Sequence, residues 1–203
     1  MVEGWLNNNE AELLFNLAKN VKNGVIVEIG SYKGKSALAL GRGAKVKVYT
    51  VDCDKSNLKE LNDNIKKAKL KNIISISKYS KEAAESFNDK IGMLFIDGNH
   101  SYESISEDFL SWKDKVISGG IIAFHDVHYS WNDVTKFVRE IIFRRDLADF
   151  EIFETIVYCR RKDKLNLADR LMNRFFYFKF LMHTTYSLRF IDRLVGNIGK
   201  LIK

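Results

Sequence analysis

The sequence predicts an α/β protein, an open sheet whose strands alternate with helices that cover both faces. Three observations carry this reading. Residues Val25–Ser36 (VIVEIGSYKGKS) give a short apolar strand, a turn with Gly30 and Gly34, and a helix start, the βα unit of nucleotide-binding sheets. Ile91–Ile96 (IGMLFI) and Ile121–Phe124 (IIAF) are continuous apolar runs, as strands buried on both faces must be. The segments between them carry apolar residues at helical spacing.

In chain order, Glu10–Asn20 reads as a helix with Ala11, Leu13, Leu14, Leu17 and Ala18 as its apolar stripe, preceded by Trp5 and Leu6 at the sheet edge or the ligand mouth. Lys45–Asp52 alternates as a second strand, Lys55–Ala68 is a basic amphipathic helix, and Ile73–Ser77 is a short third strand. Lys78–Glu82 reads as a turn and Glu103–Trp112 as a helix. Lys113–Gly120 reads as a turn that ends in two glycines. Asn132–Arg144 is a helix, and Phe150–Arg160 holds an antiparallel hairpin that closes the sheet near Lys162.

The first βα unit constrains the ligand. Tyr32 stands where a dinucleotide fingerprint needs its second glycine, so a pyrophosphate fits poorly. Glu28, inside the strand, suits a cation. S-adenosyl-L-methionine carries a sulfonium and an ammonium group and no phosphate. An ordinary strand, turn and helix is the alternative. Asp52 follows Gly30 by 22 residues, near the spacing at which an acid reaches a ribose diol; Asp54 and a solvated turn acid are the alternatives. In the turn after the third strand, Tyr79 would stack on a base and Ser80 would bond its edge, if the segment is not simply a polar turn.

Ligands of open parallel sheets sit at the carboxyl ends of the strands. Two central strands deliver acids there, Asp97 and Asp126, beside His100, His125 and His128. Asp97, His125 and Asp126 are candidate ligands for Mg²⁺ or Mn²⁺. The alternative has Asp97 capping a helix and His125 satisfied structurally. His100 and His128 titrate near neutrality when unperturbed and are base candidates.

Composition narrows the classes. Proline is absent, which excludes proline-requiring methyl-transfer loops. Of the net charge of +7, residues 162–203 supply most, with nine Lys/Arg against three Asp/Glu. The basic character therefore belongs to the tail, and no nucleic-acid partner is expected. Cys53 and Cys159 fit no metal spacing and read as buried free thiols. No signal peptide or spanning run is expected, so the setting read here is cytoplasmic, with peripheral contact at the inner membrane face as an option.

EGWL, VEIGSYKGKS, VYTVDCD, LFIDGNHSYE, the paired glycines and FHDVH, in this order across about residues 3–162, resemble class I S-adenosylmethionine-dependent methyltransferases. More narrowly they resemble the small bacterial branch of macrocin-type sugar O-methyltransferases, related to catechol-type enzymes. The resemblance implies a Rossmann-like seven-stranded sheet of order 3-2-1-4-5-7-6 with the last strand antiparallel. It implies that Glu28, Gly30, Ser31, Gly34 and Ser36 surround the methionine moiety and that Asp52 meets the ribose. In metal-dependent relatives one ligand falls on Asp97 and two acids fall at the positions of His125 and Asp126, the first of which is histidine here. The usual acid of the adenine loop is replaced by Tyr79.

The expected organisation is a catalytic domain over residues 1–162 and a basic amphipathic helical tail over 163–203, with helices at Leu165–Met182 and Leu188–Ile202. The tail would pack on the domain, form a homodimer or lie on an anionic membrane face. The expected activity is O-methylation of a sugar hydroxyl or other small polar acceptor, free or glycan-borne. A non-catalytic binding module that has kept the fold, and an RNA methyltransferase, are the competing readings.

Overall fold

The structure, a computed structural model, describes residues 2–128 and 132–186. Seven strands form one sheet of order β3-β2-β1-β4-β5-β7-β6. In chain order they are β1 (Val25–Ile29), β2 (Val48–Asp52), β3 (Ile73–Ser77), β4 (Ile91–Ile96), β5 (Val116–Phe124), β6 (Leu147–Phe153) and β7 (Ile156–Arg161). The first five are parallel, and β7 runs antiparallel to both β5 and β6. This is the Rossmann-like methyltransferase order expected from the resemblance.

Among the described residues, seven α-helices cover the sheet: α1 (Asn8–Lys19), α2 (Lys35–Gly43), α3 (Lys55–Ala68), α4 (Ser80–Ser86), α5 (Tyr102–Trp112), α6 (Asn132–Ile141) and α7 (Leu167–Tyr186). One core lies between the sheet and α1–α3, built on Leu14, Leu40, Leu61, Met93 and Phe95. A second lies against α4–α7, with Trp112, Phe109, Phe124 and Phe180 fully buried. Both faces of β4 are therefore covered, and all six of its residues are buried, which is why its sequence shows no alternation. Asn7 and Glu10 form a reciprocal capping box at the start of α1, satisfying amides that the helix itself leaves open.

The structure corrects two local expectations. Lys113–Lys115 is a single 3-10 turn, and β5 begins at Val116 rather than at Ile121. The glycine pair lies inside a bulge: Ile91 pairs with Val116 but Met93 pairs with Ile121. Gly119 has φ +81°, and a Cβ on Gly120 would meet the Gly92 carbonyl oxygen at 3.2 Å. Of the stretch read as a turn after β3, Lys78 and Tyr79 do precede the helix, but Ser80–Glu82 begin α4, a short polar helix that buries only Ala83 and Ala84.

The first described part of the tail packs on the domain. Phe176 stacks on Phe150 with 5.4 Å between ring centroids, and Phe180 is fully buried. The Asn173 amide donates to the Ile142 and Leu147 carbonyls. Losing either aromatic ring would open a cavity costing about 3–5 kcal/mol. The helix expected at Leu188–Ile202 lies outside the described residues.

Candidate active site

A cleft of about 520 Å³ opens at the carboxyl ends of β1, β2 and β4. Its floor is set by Gly30, with φ +85°, where a Cβ would stand 2.1 Å from the Asp97 carbonyl oxygen. Only glycine fits there, because the turn needs a left-handed residue in contact with the next strand's tip. Gly34, also left-handed at φ +91°, does not line the cleft. A Cβ there would strike Leu61, so it seats the start of α2 against α3.

Asp52 holds the turn from beneath. One carboxylate oxygen accepts from the Ser31 and Tyr32 amides at 3.2 and 3.0 Å, and the other accepts from the Asp54 amide at 2.9 Å. Asp52 also lines the cleft, whereas Asp54 caps α3 through the Ser56 amide. Ser31, Ser36, Tyr79 and Ser80 all line it too. Tyr79 is 67 % exposed, so its ring is available for stacking. The Ser80 hydroxyl is already engaged, accepting from the Trp112 indole at 3.0 Å and donating to Asp108. Trp5 and Leu6 close the cleft's edge, as expected. Cys53 lines the mouth and is exposed, contrary to the buried thiol expected; Cys159 is buried.

Glu28 does not reach the cleft surface. It is wholly buried behind the turn, where one oxygen accepts from Thr50 and Oε1 has no hydrogen-bond partner. The Ser31 hydroxyl is likewise buried without a partner. Two orphaned polar groups beneath one glycine turn fit a ligand that brings its own donors, as an ammonium group does. Burial pushes the Glu28 carboxyl up to about 7, against the Ser36 and Thr50 hydroxyls, which favour the anion. Between the ordinary value of 4.5 and about 7 the folded chain keeps a proton that the unfolded chain has released. Stability should therefore fall as pH rises through that window, by about 3 kcal/mol from this group. Glu28→Gln is expected to flatten that slope in urea unfolding curves of the ligand-free protein. An unchanged slope would show that Glu28 ionises as freely folded as unfolded.

At the other end of the cleft stand Asp97, His100 and Asp126. His100 Nε2 lies 3.0 Å from Asp126 Oδ2. Ligand atoms of the three residues lie within 4.8 Å of one another. His125, expected as a metal ligand beside these acids, faces away from the cleft. Its ring sits in a buried cage, with Nδ1 3.1 Å from Asp97 and 3.3 Å from Asp126, and Nε2 3.4 Å from Glu10. Burial opposes charge on the ring, but Asp126, Asp97 and Glu10 outweigh it and hold His125 up to about 12. A protonated imidazole has no lone pair to offer a metal or a substrate proton. Among the described residues, the group whose ligand atoms converge is Asp97, His100 and Asp126, without His125.

The acids around this ring diverge. Burial raises Asp97 above its ordinary range despite the neighbouring His125. Asp126 is driven well down: burial opposes this, and His100 and His125 prevail. Glu10 falls to about 2, its burial overcome by His125 and Thr155. Asp126 in turn lifts His100. His128, expected as a second base candidate, lies outside the cleft lining, and its carbonyl accepts from the Thr135 hydroxyl at 2.8 Å.

Two residues at the site escaped the sequence reading. Glu10 caps α1 yet also accepts from the Thr155 amide at 3.2 Å and from its hydroxyl, tying the N-terminal helix to the β6–β7 turn. Asp108 lines the cleft from α5 and is buried. Its signal was available: it lies in the apolar stripe Ile105, Phe109, Trp112, where an acid has no packing reason to be.

Residues 27–127 match the family model described as a methyltransferase domain. An uncharacterized protein of Acanthamoeba polyphaga mimivirus is 30 % identical over 132 residues, covering 57 % of this chain and 59 % of its own. A Sulfurisphaera tokodaii protein named "Probable cobalt-precorrin-6B C(15)-methyltransferase (decarboxylating)" is 31 % identical over 98 residues, covering 47 % of this chain and 50 % of its own. The chain thus spans between half and three-fifths of the length of these relatives. Among solved structures, the O-methyltransferase TomG of Streptomyces achromogenes, in complex with SAM, superposes with a TM-score of 0.65 at 14 % identity, covering 78 % of this chain and 82 % of its own.

Proposed function

We propose that this chain, with its methyltransferase domain, is an S-adenosylmethionine-dependent O-methyltransferase acting on a hydroxyl of a small polar acceptor, such as a sugar. One observation carries the reading. A single cleft joins a glycine-turn half, suited to an adenosyl amino acid, to an acid–histidine half, and Asp97 stands between them. The TomG structure, described as bound to SAM, supports the cofactor.

In this reading Asp52 receives the ribose hydroxyls, Tyr79 stacks on the base, and Asp108 accepts from its exocyclic amine. The Ser31 hydroxyl, which lines the cleft, faces the ammonium end, with the Glu28 carboxyl buried behind it. The acceptor oxygen attacks the methyl carbon in line with the carbon–sulfur bond. The oxygen–carbon bond forms as that bond breaks, the sulfur keeps the electron pair, and the acceptor proton passes to Asp97. Asp97 suits this role because burial makes its carboxylate more basic than an exposed one. The rest of the catalysis is alignment.

Asp97, His100 and Asp126 also fit a divalent ion, offering two oxygens and one nitrogen within a single coordination sphere. Such an ion, when bound, would acidify the acceptor hydroxyl. Calorimetric titration with S-adenosylmethionine and S-adenosylhomocysteine, with and without Mg²⁺ or Mn²⁺, tests the proposal. Binding of both on the order of micromolar is expected. Absence of both would remove the reading, and indifference to the ions would remove the metal.

A further inference from the structure

The outward face of α7 is an apolar stripe that the fold leaves uncovered. Leu167, Leu171, Phe175, Phe178 and Met182 recur at helical spacing and are 43–74 % exposed. At 3.6 residues per turn they lie within about 40° of one line along the helix. The opposite face, with Asn173, Phe176 and Phe180, is the one docked on the domain. Contiguous exposed apolar surface of this kind marks a binding surface.

Charge identifies what binds. Arg170 and Arg174 flank the stripe on one side and Lys179 on the other. The single acid of α7, Asp169, lies on the docked side, buried and paired with Lys162 at 2.7 Å. The exposed face therefore combines large apolar side chains with two arginines, and the carboxylate at its edge, Glu151 of β6, is already paired with Lys179 at 3.4 Å. We propose that this face of α7 docks on an anionic lipid bilayer, its aromatic and aliphatic side chains entering the interface and its arginines meeting the headgroups. A second copy of the chain fits less well. In a two-fold pair the same face meets itself, which brings the arginines of both copies to one interface where the edge carboxylate, Glu151, is already paired with Lys179.

The helix also reaches the site. His183 Nε2 lies 2.9 Å from the Glu154 carbonyl, on the turn whose Thr155 bonds Glu10 beside His125. The stripe therefore ends on the side of the sheet where the cleft opens. The sequence that follows also interleaves apolar residues with cations, Leu188, Ile191, Leu194 and Val195 with Arg189 and Arg193, around one acid, Asp192.

Flotation of the full chain with vesicles of phosphatidylcholine alone, or with added phosphatidylglycerol, tests the proposal. Binding to the anionic vesicles only, weakened by salt, is expected. Arg170→Gln with Arg174→Gln should weaken it about 30-fold, from about fivefold for each cation. Phe175→Ser with Phe178→Ser should abolish it with the thermal melt unchanged, since both rings are exposed. Equal partitioning into both vesicle types, or none, would overturn the proposal. So would anionic binding that the phenylalanine pair leaves intact, which would assign it elsewhere in the chain. Sedimentation as a dimer that the same pair dissociates, without vesicle binding, would assign the face to a second copy.

Discussion

Replacing Asp97 with asparagine is expected to lower methyl transfer by about 10²- to 10⁴-fold, the range for losing a positioned general base. S-adenosylmethionine binding should stay close to that of the parent protein. The substitution keeps the shape of the side chain and its contact with His125, 3.1 Å away, but removes the group proposed to take the acceptor proton. Asp126→Asn is the informative comparison. Asp126 is held low by its two histidines and is a poor base, so its loss should act through His100, which it binds at 3.0 Å. Transfer of labelled methyl groups, measured beside calorimetric cofactor affinity, separates the two. Undiminished turnover in Asp97→Asn would reassign the proton to another group.

How much of this was legible in the sequence depends on the range of each interaction. β4 and the helices beside it were readable because burial on both faces leaves an uninterrupted apolar run, and one amphipathic face leaves a 3.6-residue period. The strand order was not readable from pattern and came from the resemblance. α4 was missed because Ser80–Ser86 is polar apart from the two alanines that it buries. The start of β5 was missed because Gly119 and Gly120 look the same in a turn and in a bulge. Acids at strand tips could be placed from sequence, because strand ends fix where the backbone delivers them. What each side chain faces could not. His125 read as a metal ligand because Asp97 and Asp126 are its neighbours in the sheet. Its third neighbour is a helix-capping glutamate 115 residues earlier, and that contact decides the ring's charge and orientation.

His125 is accordingly the residue whose loss should cost most in stability. Its ring neutralises a buried site into which Glu10, Asp97 and Asp126 all point. Removing one partner of a buried ionic group leaves the others uncompensated, at about 3–5 kcal/mol. His125→Gln should therefore unfold at lower urea. Adding Glu10→Gln should recover part of the loss, because it removes one of the stranded charges. The sign of the pH dependence distinguishes this from simple loss of packing. The folded chain holds the His125 proton up to about 12, while the unfolded chain releases it near the ordinary 6.5. The ring's contribution is complete below that ordinary value and declines as pH rises toward the folded one. The gap between parent and His125→Gln should thus be wider at about pH 6 than at about pH 9. A gap that stays constant, and that Glu10→Gln leaves untouched, would mean that the ring fills space rather than carrying charge. The charged reading also gives α1 a reason to begin where it does. Glu10 caps the helix with the same carboxylate that faces His125, so the N-terminal cover of the cleft and the acids at its far end are set by one buried group.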